Sequence, residues 1–453
     1  MKNVIVSGFY FDFLVAPIEL LENKGYICVK RWIVGDDSQA VKHHKRVWWR
    51  DIVFDSDYET SEVLSDSESE YLYRYFPLFE QHLVREKIFE LNSLYELNNI
   101  TLKFIYYFKK AIKDNQVDCV LFSDVPHGAY DVILYYVAKM MGVKTLFCMP
   151  TFWNDLCYIY ESLEDIGSFR HVSDLEYKIA EEFKKNLPYM NKESTGAKLK
   201  KKTRILWDFS NYFAEKKADY KRNQRLYTGF SGYVCSHVER FAKRYFEKHF
   251  FKKAYKRYFI DKINKGEKFV YFPLHLQPEM TTDTLGLQYY DQILAIEKLR
   301  KLLPEDWYIY VKENPKQGPY MRGKNFYNRI KSIKNTKLLS KAVDTYSIMK
   351  DCQFVATITG TAGWEAITGG KPALVFGLAW YRYLPGVSIY KDGITLDAIT
   401  SKIINHSDLQ RCVFNLRSTA FPFVVDPYNK ALASYSEEEN SKSICDAIIT
   451  KLN

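Results

Sequence analysis

Residues 117–149 read VDCVLFSDVPHGAYDVILYYVAKMMGVKTLFCM and carry the clearest signal of the fold class. Apolar runs at 117–122 and 144–149 predict two buried strands. Between them, apolar residues recur at helical spacing over 129–141, and Gly142 follows, as glycine commonly does at the end of a helix. A strand, a helix and a second strand in this order predict a βαβ unit of a parallel sheet.

The same alternation of strands and helices occurs at 2–34 and at 268–376. A chain of 453 residues is too long for one ordinary core. We therefore predict an α/β protein of two Rossmann-like domains that face each other across a cleft, with extra helices between them. The predicted boundaries are an N-terminal domain at 1–160, a basic helical connection at 161–265 and a C-terminal domain at 266–453.

The positive charge of the chain is concentrated in one segment. The net charge is +10, and residues 198–258 contain 18 Lys and Arg side chains against five Asp and Glu, interleaved with aromatic residues. A solvated helical face is the commonest meaning of such a run, and attachment to an anionic membrane surface is the second. Basic and aromatic residues together can also bind nucleic acid, but no nucleic-acid-binding motif accompanies this segment.

The N-terminal residues lead directly into an apolar run that is too short for a signal peptide. No stretch of the sequence reaches the ~18 uncharged apolar residues of a membrane span. We therefore expect a cytoplasmic protein, with residues 198–258 as the candidate for contact with the inner leaflet. The eight cysteines are scattered without a CxxC motif, which predicts free thiols.

The strongest candidate for a binding motif is TGTAGWEA, which starts at Thr359 directly after a predicted strand. Gly360, Thr361 and Gly363 form a turn that opens a helix, and helix N-terminal N–H groups favour an anion such as a phosphate. Glu365 lies about one turn into the helix, where it could accept a hydrogen bond from a ribose hydroxyl. The alternative is a helix capped by Thr361 with nothing bound.

A second motif, VKENP, ends another predicted strand of the same domain. Lys312 could reach a donor phosphate as a point charge. Asn314 follows it in the loop, and Pro315 stops the strand. The alternative is an ordinary exit from a strand with a solvated lysine.

Histidines with nearby polar residues follow one predicted strand in each domain. His275, Gln277 and Glu279 lie in FPLHLQPE, after the first strand of the C-terminal domain. Asp124 and His127 lie in SDVPHG, after a strand of the N-terminal domain, and would face the same cleft. Imidazole and carboxylate groups can exchange protons near neutral pH, so Asp124, His127 and His275 are the candidate catalytic residues. The alternatives are a histidine bonded to loop backbone and a helix cap at Asp124.

The segments FPLHLQPE, VKENP and TGTAGWEA…GGKPALVFG together resemble the capsule polysaccharide synthesis family, whose members are related to capsular and lipopolysaccharide Kdo transferases. The segment 117–150 resembles the N-terminal domain of the same group. The resemblance implies a GT-B fold and a nucleotide-sugar donor, with no cofactor and no metal held by a DXD motif. Relatives often have Lys-Glu-His-Pro where this chain has Asn314, which leaves phosphate or base contact at this position but no charge. The resemblance assigns these residues to the donor site: His275, Gln277, Lys312, Asn314, Thr359, Thr361 and Glu365.

These expectations combine into one predicted function, a glycosyltransferase of bacterial capsule or lipopolysaccharide synthesis. By the resemblance, the donor is a CMP-linked 2-keto acid sugar such as Kdo or a nonulosonic acid, and the acceptor is a glycan or glycolipid. Asp124 is the candidate base or nucleophile, and the 359–365 turn holds the donor phosphate. Asp55-Ser56-Asp57 matches the DXD motif of metal-dependent transferases but opens an acidic loop at 55–70, so we predict no metal site.

Two alternatives remain open at the level of sequence. A polyol-phosphate transferase of the teichoic-acid type would also have two Rossmann-like domains, and it would use a CDP-linked donor. A non-catalytic scaffold of capsule assembly would use the basic helices to hold a membrane or a partner, and it would bind no nucleotide. Donor specificity separates these possibilities from the predicted CMP-sugar transferase.

Overall fold

The computed structural model describes residues 1–35, 40–54, 63–86, 89–153, 155–171, 216–217, 220–221, 227–319, 322–432 and 434–452. The Asp55-Ser56-Asp57 motif and most of 198–226 lie outside these residues.

The first sheet has six strands in the described part of the chain. They are β1 (Lys2–Ser7), β2 (Ile27–Val34), β3 (Arg46–Trp48), β4 (Cys119–Phe122), β5 (Lys144–Pro150) and β6 (Cys157–Tyr160). The order is β3-β2-β1-β4-β5-β6, with β1 to β5 parallel and β6 antiparallel to β5. The winding direction therefore reverses between β1 and β4, which is where ligands bind in open parallel sheets.

Both faces of the first sheet are buried. Successive residues of β1 alternate between two cores, with Val4 and Val6 on one side and Ile5 on the other. The helices of this half are α1 (Asp12–Asn23), α2 (Asp66–Tyr73), α3 (Phe76–Arg85), α4 (Leu94–Asp114) and α5 (Ala129–Met140). Strands buried on both faces are typical of doubly wound α/β domains, as the 117–149 pattern predicted.

The second sheet has seven strands in the described residues. They are β7 (Phe259–Ile260), β8 (Phe269–Pro273), β9 (Tyr308–Lys312), β10 (Thr336–Leu339), β11 (Val355–Thr357), β12 (Ala373–Val375) and β13 (Val387–Ile389). All pair in parallel, in the order β13-β12-β11-β8-β9-β10-β7. The winding direction reverses between β8 and β11, so the second sheet has a switch point of the same kind.

The helices that follow α5 along the chain connect and cover these strands, and the last of them return to the first sheet. They are α6 (Gly229–Tyr258), α7 (Met280–Asp283), α8 (Gln292–Leu302), α9 (Lys324–Ser332), α10 (Thr345–Asp351), α11 (Thr361–Thr368), α12 (Asp397–Thr400), α13 (His406–Arg417), α14 (Pro427–Lys430) and α15 (Glu437–Leu452). Two parallel sheets, each wound with helices, confirm the predicted class of two Rossmann-like domains.

From Phe421 onward the described chain returns to the first sheet, although the sequence pattern assigned 266–453 to the C-terminal domain. Phe421 pairs with Cys157 of β6 through two backbone hydrogen bonds of 2.8 and 2.9 Å. Ile444 and Ile448 of α15 join the core that contains Ile18 of α1. An amphipathic pattern shows that a helix has an apolar face but does not show which sheet that face covers.

Part of the acidic segment predicted as an exposed loop is helical. Ser65 accepts a hydrogen bond from the backbone N–H of Glu68, and the Glu68 carboxylate accepts from the N–H of Ser65. This capping box starts α2 at Asp66. The prediction of a loop over 55–70 is therefore wrong from Asp66 onward, because the acidic residues there lie in the first turn of a helix, where negative charge is stabilised.

Candidate functional site

A pocket of about 440 Å³ lies at the switch point of the first sheet. Its floor is formed by residues at the carboxyl ends of three strands, including Gly8 after β1, Gly35 after β2 and Asp124 after β4. Gly8 has φ of +82°, and a Cβ there would lie 2.0 Å from Oγ of Ser123, so only glycine fits. The volume suits one or two sugar-sized groups.

Asp124 and His127 both line this pocket. Their side chains approach to 4.0 Å, between Oδ2 of Asp124 and Nδ1 of His127. Nδ1 donates to the carbonyl of Val125 at 2.6 Å, so Nε2 carries the lone pair of the neutral ring. Asp124 accepts from the N–H of Val125 at 2.7 Å, and this bond orients the carboxylate within the loop.

The pKa values of Asp124 and His127 are both raised by their surroundings. Burial raises the pKa of Asp124, and the neighbouring His127 opposes this shift only in part. Burial lowers the pKa of His127, but the carboxylates of Asp124 and Asp131 outweigh it, so the pKa of His127 is raised. A carboxyl group with a raised pKa therefore lies beside an imidazole with a raised pKa. Such a pair can exchange a proton near pH 7.

Asp131, on α5, also lines the pocket and was not predicted. Burial raises its pKa to about 7. It lies in the first turn of α5, four residues after His127, in a helix that the sequence pattern identified only by its apolar residues. No local sequence signal would have found it.

Arg85 connects the two halves of the predicted site. Nη1 donates to the backbone oxygen of His127 at 3.1 Å, and the same atom lies 3.5 Å from Oδ2 of Asp283 in the second half. Asp283 is fully buried and also accepts from Gln81 of α3 at 2.7 Å and from Gln277 at 3.1 Å. The sequence reasoning missed Arg85 and Asp283, since a lone arginine at a helix end carries no motif.

The switch point of the second sheet holds the Gly-rich turn. Thr359 donates its backbone N–H to Nε2 of His275 at 3.1 Å, and its hydroxyl donates to the carbonyl of Thr281 at 2.6 Å. A Cβ on Gly360 would lie 2.9 Å from Nε2 of His275, and a Cβ on Gly363 would lie 2.2 Å from the Tyr381 hydroxyl. A side chain at either position would clash with its neighbours, so the packing of the protein requires glycine at both.

His275 is held as a neutral ring. Burial lowers its pKa to about 4. Because Nε2 accepts the N–H of Thr359, the ring proton lies on Nδ1, and the lone pair is already used. His275 therefore positions the turn. Its predicted role in proton transfer stays a prediction, and the hydrogen bond that Nε2 accepts from Thr359 does not support it.

The turn opens α11 at Thr361, and the N-cap position belongs to Gly360, which has no side chain for capping. The alternative of a helix capped by Thr361 is therefore wrong, because Thr361 already lies inside the first turn. A helix N-terminus without a side-chain cap presents backbone N–H groups to an incoming anion. The predicted phosphate contact of this turn stays a prediction.

Glu365 lies one turn into α11, as predicted. Burial raises its pKa to about 7, and no nearby cation among the described residues opposes this shift. A carboxyl group held in this way is costly for the fold and is typical of functional sites.

The side chain of Gln277 belongs to a buried hydrogen-bond network. Its amide donates to Asp283 and to the carbonyl of Tyr290, and its oxygen accepts from Gln292 at 3.0 Å and from Arg322 at 3.3 Å. All of its hydrogen-bonding groups are thus used inside the protein. Gln277 supports the wall of the site, and its predicted contact with the donor would require breaking these bonds.

The side chain of Lys312 also bonds to groups inside the protein. Its ammonium donates to the carbonyl of Val343 at 2.6 Å and to the hydroxyl of Thr345 at 2.7 Å, and burial lowers its pKa. The next residue, Glu313, is fully buried and pairs with Arg322 at 3.0 Å. The VKENP motif therefore anchors the end of β9 to neighbouring loops.

The remaining predicted residues of this half lie in loops. Glu279 caps α7 by accepting the N–H of Thr281 at 3.2 Å. The oxygen of Asn314 accepts the N–H of Lys316 at 2.9 Å, and Pro315 is exposed beside it. The negative charge of Glu279 also contributes to the raised pKa of Asp124, whose main cause is burial.

Two general features complete the description. In the described residues, no helix is long and apolar enough to cross a bilayer. Over the same part of the chain, no group of three or more His, Cys, Asp or Glu side chains is arranged to hold a metal ion. The described cysteines are free thiols, as predicted.

Two Rossmann-like domains with polar side chains gathered at both switch points define a protein of the GT-B structural class. The family model described as capsule polysaccharide biosynthesis protein matches residues 187–397, just under half of the chain. This match confirms the resemblance seen in the motifs. No curated protein sequence matches the chain.

Solved structures resemble the chain at low sequence identity. The beta Kdo 2,7 transferase of KpsC from Thermosulfurimonas dismutans is 13% identical, covers 79% of this chain and 97% of its own, and has a TM-score of 0.33. The beta Kdo 2,4 transferase of the same KpsC is 11% identical, with coverage of 68% and 82% and a TM-score of 0.29. A UDP-GlcNAc 2-epimerase from Neisseria meningitidis is 14% identical, with coverage of 99% and 100% and a TM-score of 0.23.

Proposed function

We propose that the protein is a glycosyltransferase that adds a sugar from a nucleotide donor to a capsule polysaccharide. One observation carries this proposal. The Asp124–His127 pair in a sugar-sized pocket at one switch point is connected through Arg85 and Asp283 to the network behind the Gly-rich turn at the other. The match of residues 187–397 to the capsule polysaccharide biosynthesis family model supports the same assignment.

The proposed donor is a CMP-linked 2-keto acid sugar, bound without a metal ion. The family resemblance supports this choice of donor. On the protein side, the N-terminal N–H groups of α11 would hold the donor phosphate, and Glu365 would accept a hydrogen bond from a ribose hydroxyl. Asn314, in the loop after β9, is the remaining candidate for contact with the phosphate or the base.

In the proposed reaction, Asp124 takes the proton from an acceptor hydroxyl as its oxygen bonds to the anomeric carbon of the donor sugar. The bond between that carbon and the donor phosphate breaks, and CMP leaves with the electron pair. The N–H groups of Thr361 and Ala362, in the first turn of α11, stabilise the negative charge that develops on the leaving phosphate, because those of Gly360 and Gly363 already donate to Thr357 and Gly360. His127, held by Asp124 and Arg85, keeps the base oriented and can return the proton to solvent.

The donor can be tested by a thermal-shift panel of CMP, CDP, UDP, GDP and ADP, with and without magnesium. A ligand that binds only the folded state raises its melting temperature. Selective stabilisation by CMP without magnesium, followed by turnover of CMP-Kdo or a related donor, would support the proposal. Selective stabilisation by CDP would replace it with the polyol-phosphate transferase, and no shift with any nucleotide would favour the scaffold.

We also propose that α6 lies against the inner face of the cytoplasmic membrane. Apolar side chains project from it at intervals of three and four residues and are 42% to 73% exposed: Phe230, Val234, Val238, Phe241 and Tyr245. Lys248, Lys252 and Lys256 continue the same stripe toward the end of the helix. An exposed apolar stripe followed by lysines suits the boundary of an anionic bilayer.

A further inference from the structure

The Gly-rich turn leaves two of its backbone N–H groups without a partner in the described part of the chain. Groups of the protein accept the N–H groups of Thr359, Gly360 and Gly363. The N–H groups of Thr361 and Ala362 lie in the first turn of α11, where a helix offers them no acceptor of its own. Both residues are partly exposed, so a ligand can reach these two donors.

The hydroxyl of Tyr381 holds the peptide group that carries one of these donors. It donates a hydrogen bond to the carbonyl oxygen of Gly360. That carbonyl and the N–H of Thr361 belong to the same planar, trans peptide group, so they point in opposite directions. A hydroxyl that fixes the carbonyl therefore also fixes the direction in which the N–H of Thr361 points.

Tyr381 is itself held in place by its surroundings. Its side chain is fully buried, and the residues on either side of it contact the first half of the protein. The ring centroid of Trp380 lies 4.8 Å from that of Phe152. Arg382 donates a hydrogen bond to the backbone oxygen of Glu164. The segment that holds the turn is thus packed against both halves of the protein.

We propose that Tyr381 is a positioning residue for the leaving group, and that its hydroxyl aims the N–H of Thr361 at the donor phosphate. The inference rests on the proposed transferase function, because that function places the donor phosphate at the start of α11. It adds a residue that acts on the reaction through the peptide group between Gly360 and Thr361.

The charge on the phosphate decides where this contribution is felt. The donor is a phosphodiester with one negative charge, whereas a free phosphate monoester carries about −1.5 to −2 at pH 7. A fixed N–H donor therefore stabilises the departing CMP more than the bound donor sugar. Loss of the Tyr381 hydroxyl should lower kcat more than it raises the KM of the donor.

Binding of CMP and of cytidine to the whole chain tests the inference, because the two ligands differ only in the phosphate. Ligand-detected NMR titration gives both dissociation constants. Tyr381→Phe should lower the ratio of the cytidine constant to the CMP constant about fivefold or more. The cytidine constant should stay the same, because the phenyl ring keeps the packing beside the turn. An unchanged ratio would overturn the inference.

Tyr158→Phe is the matched control. Tyr158 of β6 is also buried, and its hydroxyl donates to the backbone oxygen of Leu416 at 3.3 Å. This variant loses a hydrogen bond of the same kind in the first half of the protein, and the ratio should keep its wild-type value. An equal fall of the ratio in both variants would count against the inference, because it would reflect a general loosening of the fold.

Turnover of a CMP-linked sugar gives the second measurement. Tyr381→Phe should lower kcat about tenfold or more while the KM of the donor changes by less than about twofold. A larger effect on KM than on kcat would refute the positioning role. Failure of the transferase proposal would appear in the wild-type protein instead, as CMP binding no tighter than cytidine binding, and this inference would fall with it.

Discussion

Replacing Arg85 by methionine tests the connection between the two halves of the site. The change keeps a long side chain but removes the charge that lies 3.5 Å from Asp283. Burial raises the pKa of Asp283 to about 6, although Arg85 and the amide of Gln277 lower it. Without Arg85, the pKa of Asp283 should rise further, since a cation at this distance lowers a carboxyl pKa by about 1–3 units.

The expected loss of stability therefore depends on pH. A carboxyl group with a raised pKa stabilises the fold while it is protonated, and this contribution falls as pH rises through the folded pKa. At pH 5, Asp283 is protonated in both proteins, and Arg85→Met costs its hydrogen bonds to the carbonyl of His127 and to Nδ1 of His82, about 1 kcal/mol each. At pH 8, about two units above the folded pKa of about 6, the additional shift adds about 1.3–2.7 kcal/mol, because only the part of the shift that lies below pH 8 contributes.

The histidines next to Arg85 act in the same direction. The charge of Arg85 contributes to the lowered pKa of His82, which is 1% exposed, and opposes protonation of His127. Removing that charge makes both rings easier to protonate in the folded state, which favours the variant at acid pH. The difference between pH 5 and pH 8 should therefore be at least as large as the contribution from Asp283 alone.

The free energy of unfolding measured by urea titration at pH 5 and pH 8 checks this prediction. Arg329→Met is the matched control, because Arg329 pairs with Asp291 and Glu297 at the surface, where ion pairs contribute little. In the double variant Arg85→Met/Asp283→Asn, most of the pH-dependent loss should vanish, because the buried carboxylate is gone. Equal losses for Arg85→Met at the two pH values would refute the reasoning.

Three further predictions concern the other proposals. Asp124→Asn should lower the rate of sugar transfer at least 100-fold, the contribution expected of a general base, while the thermal shift with CMP is unchanged. Glu365→Gln should raise the free energy of unfolding at pH 8 by about 1–3 kcal/mol and much less at pH 5, because the ionised carboxylate is desolvated, and it should weaken CMP binding. Phe241→Ser should reduce sedimentation with vesicles containing anionic lipid, whereas Tyr95→Ser, which changes an equally exposed aromatic residue of α4, should not.

The two-domain α/β fold could be predicted because its strands are short apolar runs bounded by glycine and polar turns. The segment 117–149 shows this well, since β4, α5 and β5 lie where the pattern placed them. The packing of α15 on the first sheet could not be predicted. Its apolar residues join the core beside Ile18, which lies more than 400 residues earlier in the sequence. Long-range packing of this kind leaves no local pattern.

For the site, the sequence indicated where polar residues would gather but not how their groups would be used. Asp124 and His127 lie together in the pocket because both follow β4 in one short loop. Arg85 and Asp131 come from helices whose sequences indicate only amphipathic packing. Their roles depend on the approach of α3 and α5 to the same strand ends, which a single sequence does not reveal.

The structure gives several residues of the C-terminal motifs contacts that differ from those predicted. His275, Gln277 and Lys312 were predicted as donor contacts, yet Gln277 and Lys312 bond to protein groups, and Nε2 of His275 accepts the N–H of Thr359. His275 thereby fixes the start of the 359–363 turn, and under the proposed function a preorganised turn would stabilise the leaving phosphate without reorganisation during the reaction. Substitutions in this network should therefore weaken transfer through loss of order in the turn, whereas substitutions at Glu365 should act on the donor directly.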